Sequence, residues 1–387
     1  MASPSSTRYQ NYGSDEELQA VTASDVASAA AVASTSASVS ADNYEDEMSS
    51  QTSSHRGRRR WFSRKKKNLR ASSSDEGLLG KSTATDDETG MMTGMETNTE
   101  FEGETAATQE EIYIVRQRHG YASYAFSIVQ TIILIVMMVQ CGVAPLNINP
   151  MVGPYPHVLS EWGGKNTILI LDGEWWRLIT PIFLHAGVIH LICNVMVQIE
   201  TGVFFEREWG TFTWTVIYLV SAVGSSALSV IFMPDAVSVG SSGAVMGLFG
   251  GKAAEVICRC CEKADHAHEK VGQQVRKEQC AGVMCSVTVV MLFSFIPYVD
   301  WAAHLGGLIG GFCIGLIMFS ADLKNAVFSK LTWLFIGIGV TAAYFIVLFH
   351  QVYSSDIEAA EELRDVCGYY KQFFEDYECN CQRQGNE

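Results

Sequence analysis

Polar side chains with catalytic potential interrupt three separate apolar stretches of this sequence. The stretch HAGVIHLICN contains His185, His190 and Asn194, GSSGAVMG contains Ser242, and DWAAHLGG contains His304. Polar groups at membrane depth are costly and usually functional. A serine and a histidine held together could serve as a nucleophile and its general base. The two histidines of the first stretch, taken alone, leave metal binding open.

The spacing within the first stretch separates its polar residues. In a helix, His190 and Asn194 lie on nearly one face, a turn apart, and could act as a pair of hydrogen-bond donors. His185 is rotated away and lies about 7 Å nearer the membrane surface at about 1.5 Å per residue. We expect it to tie the preceding loop to the helix end. The alternative for His190 and Asn194 is a structural hydrogen bond between helices.

The chain has 387 residues, a net charge of −15 and 48% hydrophobic residues. Its composition differs along its length and divides it into three parts. Residues 1–118 are rich in Ser, Thr, Ala, Glu and Asp, and we expect them to be disordered because they cannot bury enough apolar surface. Residues 119–352 are expected to form a transmembrane domain, and residues 353–387 a tail on the far side of the membrane.

A basic cluster at residues 56–70, RGRRRWFSRKKKNLR, lies within the polar amino-terminal part. Such a cluster could bind nucleic acid or act as a nuclear signal. In a membrane protein with a cytosolic amino end, anionic lipid is the better partner, so we expect lipid and no nucleic acid.

Long apolar runs predict seven transmembrane helices, since roughly 20 apolar residues suffice to cross a bilayer. The predicted spans are Tyr121–Leu146, Leu178–Phe205, Thr211–Phe232, Gly240–Cys258, Ala281–Val299, Trp301–Phe319 and Leu331–Phe349. Flanking Lys and Arg place the amino end in the cytosol and the tail in a lumen or outside the cell. The predicted location is the plasma membrane or a secretory or endosomal membrane.

This topology brings the polar residues together. Spans two, four and six all enter from the lumenal side, so Asn194, Ser242 and His304 reach a similar depth. Small residues repeat every fourth position in span four (Gly243, Gly247, Gly251) and in span six (Ala303, Gly307, Gly311, Gly315). Such faces let membrane helices pack closely. The fold class predicted is therefore an all-α polytopic membrane protein with a glycine seam beneath the site.

The segments that carry these residues resemble the rhomboid intramembrane serine proteases. The similarity runs from about Glu174 to Gly315 and includes Trp176-Arg177, the H-x4-H-x3-N pattern, and the G-x-S-G and A-H-x-G-G motifs. Gly202, Glu206 and Gly210 also match. A six-helix bundle with an added carboxyl-terminal helix, as predicted here, resembles the eukaryotic secretory-pathway type.

The resemblance implies roles for individual residues. Ser242 would be the nucleophile and His304 the base of a dyad, with the oxyanion held by Asn194, His190 and the backbone N–H of Ser242. Supporting positions would be Gly240, Gly243, His185, Arg177 and Met246. Substrates would be single-pass membrane proteins cut near the lumenal end of their helix, which releases their ectodomains. No cofactor or metal is implied, and the oligomeric state stays unknown.

Several of the matching residues also have simpler interpretations. Arg177 and the preceding tryptophans could anchor a helix end at the headgroups. Glu206 is expected to hold the cytosolic end of span two, and Asp300 to be a solvated turn residue. Met246 departs from the aromatic residue that many rhomboids have there, and it could still contact His304 through its sulfur.

Cysteines raise two further questions. The loop CRCCEKADHAHEK could hold a metal, carry palmitate or contain plain thiols, and its spacing is not a usual zinc pattern. Cys367, Cys379 and Cys381 lie in the predicted lumenal tail, where one intramolecular disulfide is expected and one thiol is left over.

Two rival functions compete with proteolysis. A non-catalytic rhomboid-like protein that binds membrane clients and directs their trafficking would share the fold but would not need Ser242 and His304. A transporter or channel would need a polar path to the cytosolic side, and the polar residues of the spans are expected to stop about halfway.

Overall fold

The computed structural model describes residues 116–260, 262, 267–295, 299–323, 327–354, 357–374, 377–379 and 381. Regular structure in these ranges is helical, and the only strand-like pairing within them is one antiparallel bridge between Lys165 and Ser238. Five of the described helices are long and apolar enough to cross a membrane. The predicted all-α polytopic fold is confirmed. The polar amino-terminal part and its basic cluster at residues 56–70 lie outside the described residues.

The helices follow one another with short connections. They are α1 (Tyr121–Cys141), α2 (Pro156–Glu161), α3 (Thr167–Leu171), α4 (Val188–Trp209), α5 (Thr211–Phe232), α6 (Ser242–Arg259), α7 (Ala267–Phe293), α8 (Trp301–Ser320), α9 (Val327–Ser354) and α10 (Val366–Lys371). Helix α4 contains a π turn at Gln198–Gly202. Single 3-10 turns lie at Trp175–Leu178, Thr180–Phe183 and Glu361–Asp365.

Two predicted spans agree with the structure closely and others do not. Helix α5 has the predicted bounds, and α8 is one residue longer. The predicted start of span two at Leu178 was wrong, because residues 175–187 form 3-10 turns and a loop, and α4 begins at Val188. Helix α1 ends at Cys141, five residues before the predicted end at Leu146, with Gly142 at a φ of 78°.

The later spans differ mainly in length. Helix α7 begins 14 residues before the predicted start at Ala281, and α9 extends beyond both ends of the predicted span seven. Helix α6 begins at Ser242, two residues after the predicted start of span four at Gly240. Helices α6 and α7 are not among the five described helices that are long and apolar enough to cross a membrane. Charged residues lie in the second half of α6 and the first half of α7.

Helix α6 lies at the centre of the bundle, between α5 and α8. Its residues are buried almost throughout, including Gly247, Gly251 and the charged Lys252. A side-chain carbon on Gly307 would collide with the backbone of Gly243, and one on Gly311 would collide with the backbone of Gly247. The four-residue repeats of spans four and six therefore pack against each other as the sequence predicted.

Glu206 joins the start of α1 to α4. Its carboxylate is fully buried and accepts hydrogen bonds from the backbone N–H groups of Ala122 and Ser123, each at 2.8 Å, and from the Ser123 hydroxyl. The first N–H groups of a helix lack partners within it, so a buried carboxylate there caps the helix. Glu206 thus holds this end of α4 against α1, as expected.

Polar side chains continue along the inner faces of α1, α4 and α5 beyond Asn194. Gln198 donates to the Ser127 hydroxyl at 2.8 Å and accepts from the Tyr218 hydroxyl at 2.6 Å. Gln130 donates to the carbonyl of Ile182 at 2.9 Å. The expectation that polar residues stop halfway was therefore wrong. These groups are buried and bond to each other, so they bridge helices rather than line an open path.

The tail is part of the folded structure. Disulfides join Cys141 to Cys381 and Cys367 to Cys379. The Tyr377 hydroxyl lies 2.9 Å from His157 Nδ1, and Asn166 donates to the Leu363 carbonyl at 2.8 Å. The expected leftover thiol in the tail was wrong, because its partner is Cys141 at the end of α1.

Candidate active site

Ser242 and His304 lie at the same end of the α6–α8 seam. Ser242 is the first residue of α6, and His304 lies in the first turn of α8. Gly240 has a φ of 120°, in the left-handed region that favours glycine, and this lets the chain turn into α6. Because the glycine seam sets the distance between the two helices, it also sets the distance between the two side chains.

The two side chains are in hydrogen-bond contact. His304 Nε2 lies 2.8 Å from Ser242 Oγ, and His304 is buried. The other ring nitrogen, Nδ1, lies 2.6 Å from the hydroxyl of Ser294, which follows the last residue of α7. A serine hydroxyl bonded to an imidazole that a third group orients is the arrangement of an activated nucleophile.

Asn194 and His190 contact the two residues that precede Ser242, which are Ser241 and Gly240. The Ser241 hydroxyl donates to Asn194 Oδ1 at 3.2 Å, and Asn194 Nδ2 donates to the His190 carbonyl at 2.9 Å. A side-chain carbon on Gly240 would lie 2.8 Å from His190 Cε1. The amide of Asn194 has two N–H groups, and the bond to the His190 carbonyl needs only one of them.

The His190 ring is oriented by the chain before α4. The backbone N–H of Ala186 donates to His190 Nδ1 at 3.3 Å, so a neutral ring carries its proton on Nε2 and can donate from there. Ser242 adds the N-terminus of α6, where N–H groups and the helix dipole favour negative charge. These three donors are the ones proposed from the sequence for an oxyanion.

His185 lies in the loop before α4 and is fully buried, with its ring centroid 5.3 Å from that of His190. Burial, aided by the neighbouring His190, lowers the pKa of His185 well below its ordinary value. Its nitrogens have no hydrogen-bond partner among the described residues. The loop is tied at this point by Asn149, whose amide donates to the Ala186 carbonyl at 2.7 Å.

Arg177 is held inside the loop between α1 and α4. Its guanidinium is buried, donates to the carbonyls of Ser160 at 2.6 Å and Gly164 at 2.9 Å, and pairs with Glu174 at 2.5 Å. The headgroup-anchor interpretation was therefore wrong for Arg177. The adjacent Trp175 and Trp176 are exposed and remain suited to an interface.

Asp300 caps α8 rather than forming a solvated turn. Its Oδ1 accepts from the backbone N–H of Ala303 at 2.8 Å, and its Oδ2 accepts from the hydroxyls of Ser229 and Ser238, each at 2.5 Å. The expectation of a solvated residue was wrong. Asp300 fixes the start of α8, four residues before His304.

The remaining predicted positions are structural neighbours of the pair. Gly243 packs against α5, where a side-chain carbon would collide with Ser225. Met246 is buried in the central core one turn after Ser242, and its contact with the His304 ring stays a prediction. Among the described residues, no three His, Cys, Asp or Glu side chains are placed to hold a metal ion. Cys261 and His266 of the cysteine-rich loop lie outside the described residues.

Sequence reasoning missed Ser294 and the group of Gln130, Gln198 and Tyr218. Each is a polar residue within an apolar segment, the same pattern that singled out His190 and Asn194. Their partners come from other helices, so the pattern alone did not say which polar residues belong to the site.

The part of the chain that contains this site is similar to a known protein family. Residues 172–321 match the family profile described as "Rhomboid domain". The chain is 34% identical over 178 residues to "RHOMBOID-like protein 6, mitochondrial" of Arabidopsis thaliana, which covers 45% of this chain and 54% of that protein.

Relatives named as proteases also match. Identity is 33% over 138 residues to "Rhomboid-like protease 3" of Toxoplasma gondii, covering 36% of this chain and 49% of that protein. It is 34% over 159 residues to "Rhomboid protease GluP" of Bacillus subtilis (strain 168), covering 40% and 28%. The chain spans about half the length of the first curated relatives it matches.

Proposed function

Because this chain is a rhomboid family protein, with its family domain at residues 172–321, we propose that it is an intramembrane serine endopeptidase. The observation that carries the proposal is the 2.8 Å contact between Ser242 Oγ and His304 Nε2 at the end of the glycine seam. A client-binding protein without catalysis would need neither this contact nor the donors around it.

The proposed mechanism begins with attack by Ser242. As Oγ bonds to the scissile carbonyl carbon, His304 Nε2 takes the hydroxyl proton. The oxyanion that forms would accept hydrogen bonds from Asn194, His190 and the backbone N–H of Ser242, which are fixed before reaction. His304 then returns the proton to the leaving amine, and water hydrolyses the acyl-enzyme by the same steps.

The substrates proposed are single-pass membrane proteins. A peptide bond within a stable helix is shielded, so residues that weaken the substrate helix near the cut should help it to enter the site. Since Ser242 and His304 lie at helix starts, the cut would fall near the substrate helix end on that side of the membrane, which would release the ectodomain.

The disulfides support the proposed orientation. Cys141 at the end of α1 and Cys381 in the tail are bonded, so these two segments lie on one side of the bundle. Disulfides persist in oxidising compartments. We therefore propose that the site faces a lumen, the cell exterior or another oxidising space, with the amino end in the cytosol. The basic cluster at residues 56–70 would then meet anionic lipid.

The test compares wild type, Ser242→Ala and His304→Ala in proteoliposomes with a tagged single-pass substrate. We expect cleavage by the wild type and none detectable by either variant. Thr332→Ala, which removes an exposed hydroxyl on α9, is the matched control and should cleave as the wild type does. A fluorophosphonate probe should label wild type but not Ser242→Ala. Equal cleavage by all four proteins, or none with intact client binding, would refute the proposal.

A further inference from the structure

Ser294 brings a third helix to the site. It follows Phe293, the last residue of α7, and its side chain is buried against α8. The hydroxyl oxygen lies 2.6 Å from His304 Nδ1 and 2.6 Å from the carbonyl oxygen of Val290, one turn back on α7. These two contacts determine where the protons are.

The positions of the protons follow from which of these groups can donate a hydrogen bond and which can only accept one. The Val290 carbonyl can only accept, and Ser294 has one hydroxyl proton, so the short contact requires Ser294 to donate to Val290. The Ser294 oxygen then presents lone pairs to the imidazole. His304 Nδ1 must carry a proton and donate it, because two lone pairs at 2.6 Å would repel each other.

A neutral His304 with its proton on Nδ1 has a free lone pair on Nε2. That nitrogen faces Ser242 Oγ at 2.8 Å and can accept the serine proton. The opposite tautomer would place a proton between Nε2 and the serine and could not act as a base. Ser294 also keeps an acceptor for Nδ1–H when the ring is doubly protonated, which stabilises the charged ring without a carboxylate.

We propose that Ser294 is a positioning residue that selects the reactive tautomer of His304 and fixes the plane of its ring. This inference rests on the proposed function, in which His304 is the general base. It places the orienting group of the dyad directly after the end of α7, whereas Ser242 and His304 lie on α6 and α8.

The first test measures the tautomer directly and needs no substrate. Solid-state NMR of protein with 15N-labelled histidine, in lipid at neutral pH, should give a His304 signal protonated at Nδ1 in the wild type. His304→Ala assigns that signal. In Ser294→Ala we expect a mixture with the form protonated at Nε2. A single signal protonated at Nδ1 in Ser294→Ala would overturn the proposal.

The second test separates positioning from folding. With a cleavable substrate, Ser294→Ala should lower kcat by about tenfold to a hundredfold and leave KM within about twofold, as expected when ground-state binding is unchanged. Ser294→Thr restores a hydroxyl that can bond one turn back, and it should recover most of kcat. Thr288→Ala, which removes the same type of bond elsewhere on α7, is the control and should leave kcat unchanged.

The outcomes distinguish the two proposals. Unchanged kcat in Ser294→Ala, or an equal loss in Ser294→Ala and Ser294→Thr with a lowered Tm, would overturn the positioning role. If the wild type neither cleaves substrates nor reacts with a fluorophosphonate, the proposed function fails. The NMR comparison would still decide whether Ser294 holds the tautomer.

Discussion

His304 and His190 both lie near Ser242, but their hydrogen bonds suit them to different roles. His304 directs Nε2 at the serine hydroxyl and Nδ1 at Ser294. His190 accepts a backbone N–H on Nδ1 and packs against Gly240, which leaves Nε2 as a donor. One ring is placed to take a proton and the other to give a hydrogen bond.

This difference predicts unlike effects of removing each ring. His190→Ala should lower kcat for cleavage by about a hundredfold to a thousandfold, as loss of one oxyanion donor does. The fluorophosphonate probe should still label Ser242, because the base remains. His304→Ala should abolish both cleavage and labelling. Steady-state cleavage and probe labelling of the same preparations check this.

The opposite pattern, with labelling lost in His190→Ala and kept in His304→Ala, would exchange the two roles. Cys193→Ala serves as the control, because it changes a partly buried free thiol on the same turn of α4. It should keep both cleavage and labelling near those of the wild type.

At the scale of single residues, sequence reasoning singled out Ser242 and His304 because each is a polar residue in an apolar span and lies in a motif of the family that the chain resembles, and the structure places the two side chains 2.8 Å apart. It did not find Ser294, since MLFSFIPY gives no spacing relation to either residue. The residue that orients a base is identified by a contact between helices, and no local pattern contains that contact.

Among the elements, the α6–α8 seam bears most directly on the site. The backbones of Gly247 and Gly311 approach so closely that a side-chain carbon on Gly311 would collide with the Gly247 carbonyl. Helix backbones cannot move apart there without also moving Ser242 and His304. Small changes in the seam should therefore affect activity at a distance from the reacting atoms.

Gly311→Ala tests this coupling between the seam and the site. Overpacking of a tight contact costs about 1–3 kcal/mol, so the Tm in detergent should fall and probe labelling of Ser242 should slow. Gly339→Ala is the matched control, because no atom lies within 4 Å of a side-chain carbon built there. It should leave both the Tm and the labelling rate unchanged. Equal behaviour of the two variants would contradict the coupling.

The helices could be predicted from the sequence where each end of the apolar run coincides with an end of the helix. Helix α5 is uncharged and follows Gly210, and α8 follows Asp300, so both were placed within one residue. Residues 175–187 are also mostly apolar, but they form two 3-10 turns and a loop, with Pro181 in the second turn. Hydropathy does not distinguish such a segment from a helix. The first half of helix α7 is polar, so hydropathy did not predict that part of the helix.

On the scale of the whole molecule, the tail and the loop between α1 and α4 form one structure. Tyr377 packs on His157, and Arg364 pairs with Asp172. The N–H of Ala360 donates to Asp235, between α5 and α6. The tail thus contacts two of the loops on the side of the bundle where Ser242 lies.

Acid should weaken this structure through His157. Burial, aided by the charge of Lys371, lowers the pKa of His157 to about 4 from its ordinary 6.5. Between these values the unfolded chain binds a proton that the folded chain does not. The free energy of unfolding should therefore fall as the pH drops from about 6.5 to about 4, by about 1.4 kcal/mol for each unit of pKa difference.

His157→Asn removes this titration and keeps a polar group near Tyr377. Its Tm in detergent should depend less on pH between 4 and 6.5 than the Tm of the wild type. His350→Asn, which changes a histidine on α9 outside the loop, is the control and should follow the wild type. Parallel curves for His157→Asn and the wild type would assign the acid sensitivity to other groups.

The disulfide between Cys141 and Cys381 should contribute strongly to stability because it joins distant parts of the chain. Removing a native disulfide from a small secreted domain costs about 2–5 kcal/mol. Cys381→Ser should lower the Tm, and reductant should lower the Tm of the wild type but change that of Cys381→Ser less. Cys285→Ser, at an exposed free thiol, should have no effect. A Tm of Cys381→Ser equal to that of the wild type would contradict this.

The same bond has a consequence for the order of events during biosynthesis. Cys141 and Cys381 are 240 residues apart in sequence, and every helix from α2 to α10 is synthesised between them. With the proposed orientation, Cys141 reaches the oxidising side early. It stays unpaired with Cys381 until the tail has been synthesised and has reached the same side. The bond therefore forms only after insertion is complete. A chain whose later helices have failed to insert keeps Cys141 reactive, and an oxidised chain has brought the end of α1 and the tail to the same side of the membrane.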